Sequence, residues 1–522
     1  MNKILTLTII AFLAVACTDL DLRPADATTA NVVFKDVNAY KNYLAKIYGA
    51  YMMTGQDGPA GDADLALVND EGFTSYMRAY WKAQQITTDE THLTWTDGGI
   101  QDMNMHQWSS ENQFVRVLYY RLALIVAYSN DFLQQAADVK LDENGLTSDE
   151  KNLVSSYINE VRFLRAMAYW HALDLFRNVP LVTEITTEPP VQASPNETFS
   201  FIESELAAIE SQLPAPGANE YGRVDKGAVW MLQARLYLNA EVYIGEEKYT
   251  DCLTAVNKVI NDGTYALNPI YANNFTADNH LSTEIVFAFT SDGLNSQTWG
   301  GTTFLVHAPI MANMEPTDYG VDAGWSGPRA TSVFVDVFDD ITGDTDVRAP
   351  FYTEGRDIVI DEPNINSSTG GYGVIKYVNK LSDGSDGQHA TFVDTDWPVF
   401  RLADAYLMYA EAVLRGGAGG DAATALGLVN MLRERAYGDA TGNITSGELD
   451  LDFVLDERSR EMYWEASRRM DLIRYNEFTA NGVWPWKGGE PNGVTTDPKY
   501  DIFPIPANDL AANPNLEQNP GY

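Results

Sequence analysis

Apolar residues recur at helical spacing over much of the chain, and this pattern predicts a mostly helical protein. Ile158, Val161, Leu164, Ala168, His171, Ala172 and Leu175 form one stripe, closed by Asn178-Val179-Pro180. Residues 201–213 predict a second amphipathic helix, ended by Pro214 and Pro216. Asp225 to Leu238 predicts a third, with Tyr249 to Ile260 as its neighbour. Residues 401–415 and 421–436 predict another pair across the turn Gly416-Gly417-Ala418-Gly419-Gly420. An Arg-rich helix is expected from Asp456 to Leu472, its i,i+3 and i,i+4 charges forming a structural ion-pair network. Ala and Tyr at close-approach positions make the pairs resemble tetratricopeptide units, and their irregular spacing makes the repeat degenerate.

Between about residues 265 and 398 the texture changes. Gly, Asn, Asp, Thr and Pro become frequent, and short strand-like runs appear at Glu284 to Phe289 and Phe304 to His307. Loops on a rigid scaffold carry function, so a binding site is expected here. Two unusual tryptophans lie in this stretch, Trp299 in Thr298-Trp299-Gly300-Gly301 and Trp325 in Gly324-Trp325-Ser326-Gly327. A third, Trp95, sits earlier in Thr94-Trp95-Thr96-Asp97-Gly98-Gly99. Each is flanked by loop formers, and a large apolar ring on a polar loop is costly unless a partner covers it. A sugar ring fits such a setting, with an apolar C–H face for the indole and a hydroxyl edge for the polar neighbours. The alternative is that the rings fold back as lids over a small satellite core.

Charge narrows the ligand. The chain has 73 acidic and 35 basic residues, a formal net charge of -38. That field disfavours nucleic acid, anionic lipid and polyanionic polysaccharide, and favours a neutral ligand. The N-terminus reads as a leader: Lys3, an apolar run from Ile4 to Val15, then Ala14-Val15-Ala16 before Cys17. The run is too short to span a membrane. Its cysteine marks a lipoprotein signal, so Cys17 is expected to carry acyl chains ahead of the acidic tether Thr18-Asp19-Leu20-Asp21. The only other cysteine, Cys252, falls in a helical pattern as a core residue. With no disulfide framework, stability must come from a large core, which 522 residues at 45% hydrophobic composition can supply.

No catalytic arrangement emerges. Asp89-Glu90, Asp339-Asp340 and Asp456-Glu457 are adjacent carboxylates, but among so many acidic residues such pairs read as solvated or helix-capping charge. His92, His106, His171, His280, His307 and His389 form neither a HExxH nor a His/Cys cluster. No Gly-x-Ser-x-Gly elbow occurs, and the glycine run at 416–420 lacks the Lys-Ser/Thr of a phosphate loop. The expectation is a non-enzymatic protein without cofactor or metal.

Several segments together resemble the SusD (SusD/RagB) family of surface glycan-binding lipoproteins. They are Glu160 to Trp170 with Val179-Pro180-Leu181, Arg401 to Ala412, Asp456-Glu457-Arg458 with Arg468 to Tyr475, Phe503-Pro504-Ile505-Pro506, and Gln518 to Tyr522. Thr88-Asp89-Glu90, Gly300-Gly301-Thr302-Thr303 and Trp486-Lys487-Gly488-Gly489 are similar to the starch-binding branch. The resemblance implies an α-superhelix of four tetratricopeptide-like helix pairs with a loop-built glycan platform. It also implies docking onto a SusC-like TonB-dependent β-barrel transporter at the outer membrane, facing outward. Carried onto this chain, the implied ligand-binding residues are Asp70, Arg78, Trp95, Trp299 and Trp325. Two departures stand out: Trp299 replaces a tyrosine, and Leu93 and Gly98 stand where that branch has a second tryptophan and an amide.

The expected organisation is a signal peptide at 1–16, a lipidated tether at 17–39, a helical region at 40–264, a loop-rich glycan-binding excursion at 265–400 and a C-terminal helical region at 401–522. The expected ligand is a starch-like α-glucan, with a laminarin-like β-1,3-glucan as alternative. A transporter lid without glycan selectivity is the rival of another class.

Overall fold

The structure is a computed structural model that describes residues 30–55, 58–60, 63–65 and 70–522. The leader, Cys17 and the first part of the tether lie outside the described residues. Numbering only helices of seven residues or more, the first half of the chain contributes α1 (Val37–Gly49), α2 (Tyr76–Gln85), α3 (Gln113–Gln135), α4 (Ser148–Phe176), α5 (Pro195–Glu210), α6 (Lys226–Leu238) and α7 (Tyr249–Asp262). The second half adds α8 (Gly301–His307), α9 (Leu402–Leu414), α10 (Ala422–Tyr437), α11 (Leu451–Met462) and α12 (Arg468–Arg474). The fold is dominated by helices, as the periodicity predicts.

Local chemistry sets the helix starts. Thr147 and Glu150 form a capping box at α4, and Ser194 and Glu197 another at α5, where Pro195 occupies the first turn. The Asp225 carboxylate accepts from the amides of Gly227 at 2.8 Å and Ala228 at 3.3 Å to begin α6. Packing joins neighbours in sequence, α4 on α5, α6 on α7 and α9 on α10, and sets α7 on the distant α9. Cys252 is fully buried on α7, as a core residue.

Two elements differ from the sequence expectation. Phe304 to His307 is helical, within α8, and not a strand. Every residue of α8 is buried, so no exposed face marks a helical period, and a short run of that kind does not distinguish helix from strand. The Arg-rich stretch is two helices, α11 and α12, rather than one. Between them Trp464 (φ 61°) and Ala466 (φ 60°) are left-handed. Tertiary packing imposes the break: Trp464 is buried edge-on against Trp81, whose indole Nε1 donates to the Trp464 carbonyl at 3.1 Å.

Strands are short and antiparallel. β1 (Thr91–Leu93) pairs with β3 (Pro328–Ala330), with Leu93 opposite Pro328. β2 (Ile285–Phe289) pairs with β6 (Trp397–Arg401), and β4 (Phe351–Tyr352) with β5 (Gly373–Val374). A buried ion-pair network fastens this region to the helices. The Arg401 guanidinium meets Glu284 and Glu461, each at 2.6 Å, and Glu465 at 2.7 Å. Arg348 reaches Glu457 at 2.7 Å, and Arg435 reaches Glu284 at 2.8 Å. Pairing of this kind offsets the cost of burying these charges. Among the described residues, no helix is long and apolar enough to cross a membrane.

Candidate functional site

Asp70, Arg78, Trp95, Trp299 and Trp325, far apart in sequence, line one open cleft of about 680 Å³. β1–β3 pairing brings the Trp95 segment beside the Trp325 segment. Trp325 is held by backbone bonds to the end of α8: its amide donates to the His307 carbonyl at 2.9 Å, and Gly327 N to the Ala308 carbonyl at 2.8 Å. Its ring stacks on His307 at 5.0 Å and 20°.

Trp299 hangs from the turn before α2. Glu71 accepts from the Trp299 amide at 2.8 Å and from the Thr298 hydroxyl at 2.7 Å. The Trp299 carbonyl accepts from Arg78 Nη1 at 3.2 Å. This approach needs a glycine, because a Cβ on Gly72 would lie 2.5 Å from Arg78 Nη1 and 2.7 Å from the Trp299 carbonyl carbon.

Trp325 is the middle ring of the three. Its centroid is 6.4 Å from that of Trp95 with the planes at 42°, and 6.3 Å from that of Trp299 at 51°. Exposure is uneven. Trp299 is 36% exposed and backed by Phe392, Trp325 is half-buried, and Trp95 is only 9% exposed. Trp95 is therefore less of a free loop residue than its polar neighbours suggest. Its indole Nε1 donates to the Trp325 carbonyl at 3.2 Å, and its ring lies on Gly327.

Arg78 lies behind the rings. It is almost fully buried, with its guanidinium carbon 4.7 Å from the Phe73 centroid, 4.9 Å from Phe304, 5.5 Å from Trp95 and 5.9 Å from Trp325. Burial lowers its pKa to about 10, against the pull of Asp70, Asp97 and Glu71, so it stays charged at neutral pH. Arg78 Nη2 has no hydrogen-bond partner among the described residues, which leaves it available to a ligand. One turn later on α2, the Lys82 amine is fully buried, has no hydrogen-bond partner, and sits 4.1 Å from the Phe114 centroid and 4.4 Å from Phe73. Burial first, and the Arg78 charge second, hold its pKa well below the ordinary lysine value.

Pro59, Glu71, Phe73, Thr96, Asp97 and Asn366 also line the cleft, and the sequence reading did not single them out. Glu71, Thr96 and Asp97 adjoin residues already named. Asn366 carries no local signal, because a loop far along the chain delivers it. A more enclosed hollow of about 390 Å³ between α3, α4 and residues 179–190 is lined mainly by apolar side chains, and no tryptophan borders it.

Comparison with known proteins places this architecture. Solved structures of similar fold include a SusD superfamily protein from Bacteroides vulgatus, with a TM-score of 0.72 at 19% identity, covering 93% of this chain and 99% of that one. Another is surface glycan-binding protein A from Bacteroides thetaiotaomicron in complex with laminarihexaose, with a TM-score of 0.68 at 19% identity, covering 92% of this chain and 99% of that one. At these identities the likeness is one of fold. The SusD-like protein P2 of Formosa agariphila is 23% identical, covering 99% of each chain. The starch-binding protein SusD of Bacteroides thetaiotaomicron is 34% identical over 552 aligned residues, covering 97% of this chain and 95% of that protein. The family model described as the SusD family matches residues 352–522. With a relative this similar along nearly its whole length, the chain belongs to the SusD family.

Proposed function

We propose that this protein is a non-enzymatic, cell-surface glycan-binding lipoprotein that captures a neutral glucan on the Trp95–Trp325–Trp299 arc. The observation that carries the reading is the arc itself. Three indoles lie on one cleft at successive spacings of 6.4 and 6.3 Å, the scale of a single pyranose ring, with a free guanidinium nitrogen behind and carboxylates at the rim. Tilts of 42° and 51° between successive rings suit a curved chain better than a flat ribbon. Asp70 and Asp97 accept hydrogen bonds from hydroxyls and repel acidic sugars. The starch-binding relative favours an α-1,4-glucan first. The laminarihexaose-bound structure of similar fold supports a β-1,3-glucan as second choice. The four-pair, tetratricopeptide-like superhelix, the SusC-like TonB-dependent transporter as recipient and the outward-facing anchor through Cys17 complete the proposal.

The adjacent carboxylates support a non-catalytic role. Asp89 is held by Arg468, Glu457 by Arg348 and Arg433, and Asp340 by Thr342 and Thr345.

Titration calorimetry of the purified protein against maltoheptaose and laminarihexaose tests the reading. Binding to either one supports it, and binding to a uronic-acid polymer alone overturns it. Sugar affinities of about -4 to -6 kcal/mol leave little to lose, so Ala at Trp299 or Trp325 should abolish retention in a glycan-containing gel. Loss of melting temperature with retention intact would favour the lid reading instead, which the burial of Trp95 makes worth testing. Cys17→Ala should move the protein to the soluble fraction.

A further inference from the structure

The segment from Ile360 to Gly371 has no regular structure, yet side chains from four other parts of the chain hold its backbone. Arg329, fully buried on β3, donates from Nη1 to the Ser368 hydroxyl at 2.7 Å and the Gly370 carbonyl at 2.9 Å. Its Nη2 donates to the Asn366 carbonyl at 2.6 Å and the Ile365 carbonyl at 3.3 Å. No carboxylate pairs with Arg329 among the described residues, so a buried cation is committed to the carbonyls of one loop. Isolated buried charge is costly, and this one has no other bonding role.

His92, directly opposite Arg329 in the β1–β3 ladder, places Nε2 2.8 Å from the Pro363 carbonyl. Gln101 Nε2 donates to the same carbonyl at 3.3 Å and to the Trp95 carbonyl at 3.0 Å. Trp486 Nε1 donates to the Ile360 carbonyl at 2.7 Å, and Arg356 Nε to the Gly371 carbonyl at 2.6 Å. The two strands that carry Trp95 and Trp325 at their ends therefore also grip this loop.

What the grip delivers to the cleft is Asn366. Its side-chain oxygen lies 3.3 Å from the Thr94 hydroxyl, which also faces the Gly327 carbonyl at 3.1 Å and the Ser326 carbonyl at 3.4 Å, and its nitrogen has no partner among the described residues. The side chain is exposed and lines the same cleft as the three indoles. We infer that Asn366 is a specificity-determining ligand contact that donates to glycan hydroxyls, and that Arg329 and His92 are positioning residues that hold it there. A hydroxyl both donates and accepts. Asp70 and Asp97 accept from its O–H, while Asn366 and Arg78 donate to its oxygen. A cleft with both kinds of partner selects a neutral, hydroxyl-dense chain. The inference rests on the glycan-binding reading of this cleft.

The test compares the purified wild type with Asn366→Ala, Asn366→Asp and Arg329→Lys by calorimetry against maltoheptaose and laminarihexaose, with melting temperatures measured alongside. Loss of one hydrogen bond should weaken binding roughly two- to twelve-fold in Asn366→Ala, with the melting temperature unchanged. Asn366→Asp should lose more, because it replaces the donor with another carboxylate. Arg329→Lys should weaken binding in the wild-type background and much less in the Asn366→Ala background, since it acts through Asn366. An equal loss in both backgrounds would assign Arg329 a purely structural role and overturn the positioning claim. A wild type that binds glycan while Asn366→Ala binds equally well overturns this inference alone. A wild type that binds neither oligosaccharide overturns the underlying reading and the inference with it.

Discussion

Gly327 lies so close beneath the Trp95 indole that a Cβ at this position would come within 2.7–2.8 Å of three ring atoms. The backbone of one loop is thus the seat for the ring of another, and the arc depends on a missing side chain. Gly327→Ala should push Trp95 out of register at a cost of about 1–3 kcal/mol, the usual range for overpacking. A lowered melting temperature, a changed tryptophan emission spectrum and weaker glycan retention are the expected readouts. Unchanged emission and retention would mean that the neighbouring backbone absorbs the methyl.

The three indoles should not respond alike to removal. Trp299, 36% exposed, should tolerate alanine with little change in melting temperature and lose ligand. Trp95, 9% exposed and bonded to the Trp325 carbonyl, should lose about 3–5 kcal/mol of stability as well, as large-to-small changes at buried aromatic sites do. Denaturant unfolding of the two alanine variants separates these outcomes, and equal destabilisation would contradict the exposure difference.

Lys82 should destabilise the fold at neutral pH. Folded, burial first and the Arg78 charge second disfavour the charged form of its amine; unfolded, it titrates near 10.5 as an ordinary lysine. The unfolded state therefore binds the extra proton, and stability rises with pH toward 10.5. Lys82→Met keeps the shape of the side chain and should raise the melting temperature at pH 7, with the gap to wild type closing as pH approaches 10. A variant less stable than wild type at pH 7 would show instead that the ammonium form and its aromatic contacts hold the site together.

Glu90 should act in the opposite sense. Burial, its largest influence, raises its pKa from 4.5 to about 8, even with Arg468 nearby and the Ser459 hydroxyl donating to it at 2.9 Å. The folded state keeps this proton between pH 4.5 and 8 while the unfolded state loses it. Its contribution is thus present at pH 4.5 and lost as pH rises toward 8. Glu90→Gln should match wild type near pH 5 and exceed it at pH 8 in denaturant titrations. Parallel pH profiles for the two proteins would count against a protonated Glu90.

Helices such as α5 and α7 were legible because each buries one stripe, whereas the capping boxes at Thr147 and Ser194 start α4 and α5 ahead of the apolar pattern. The site tryptophans were legible because glycine and threonine on either side exclude a periodic element. What the pattern could not supply was assembly. Nothing in Thr91-His92-Leu93 names Pro328-Arg329-Ala330 as its partner, yet that pairing places Trp95 beside Trp325. Phe304 to His307 misleads as a strand because complete burial erases the difference between periods of two and 3.6. The kink at Trp464 and Ala466 escapes notice for a related reason: the charges run on at helical spacing while tertiary packing turns the chain. Asn366 was invisible because its place depends on a distant arginine and not on its neighbours.

The ion-pair network has a consequence for how the molecule meets its surroundings. Arg348, Arg401 and Arg435 are sealed in the interior together with the carboxylates of Glu284, Glu457 and Glu461, so the excess of 73 acidic over 35 basic residues falls largely on the outer envelope. Dissolved ions reach the mutual repulsion of that envelope and hardly reach the sealed pairs within. Seawater-like salt should thus relax the self-repulsion while leaving the internal fastening untouched, so that the fold gains from the ionic strength that would weaken a surface-bridged protein.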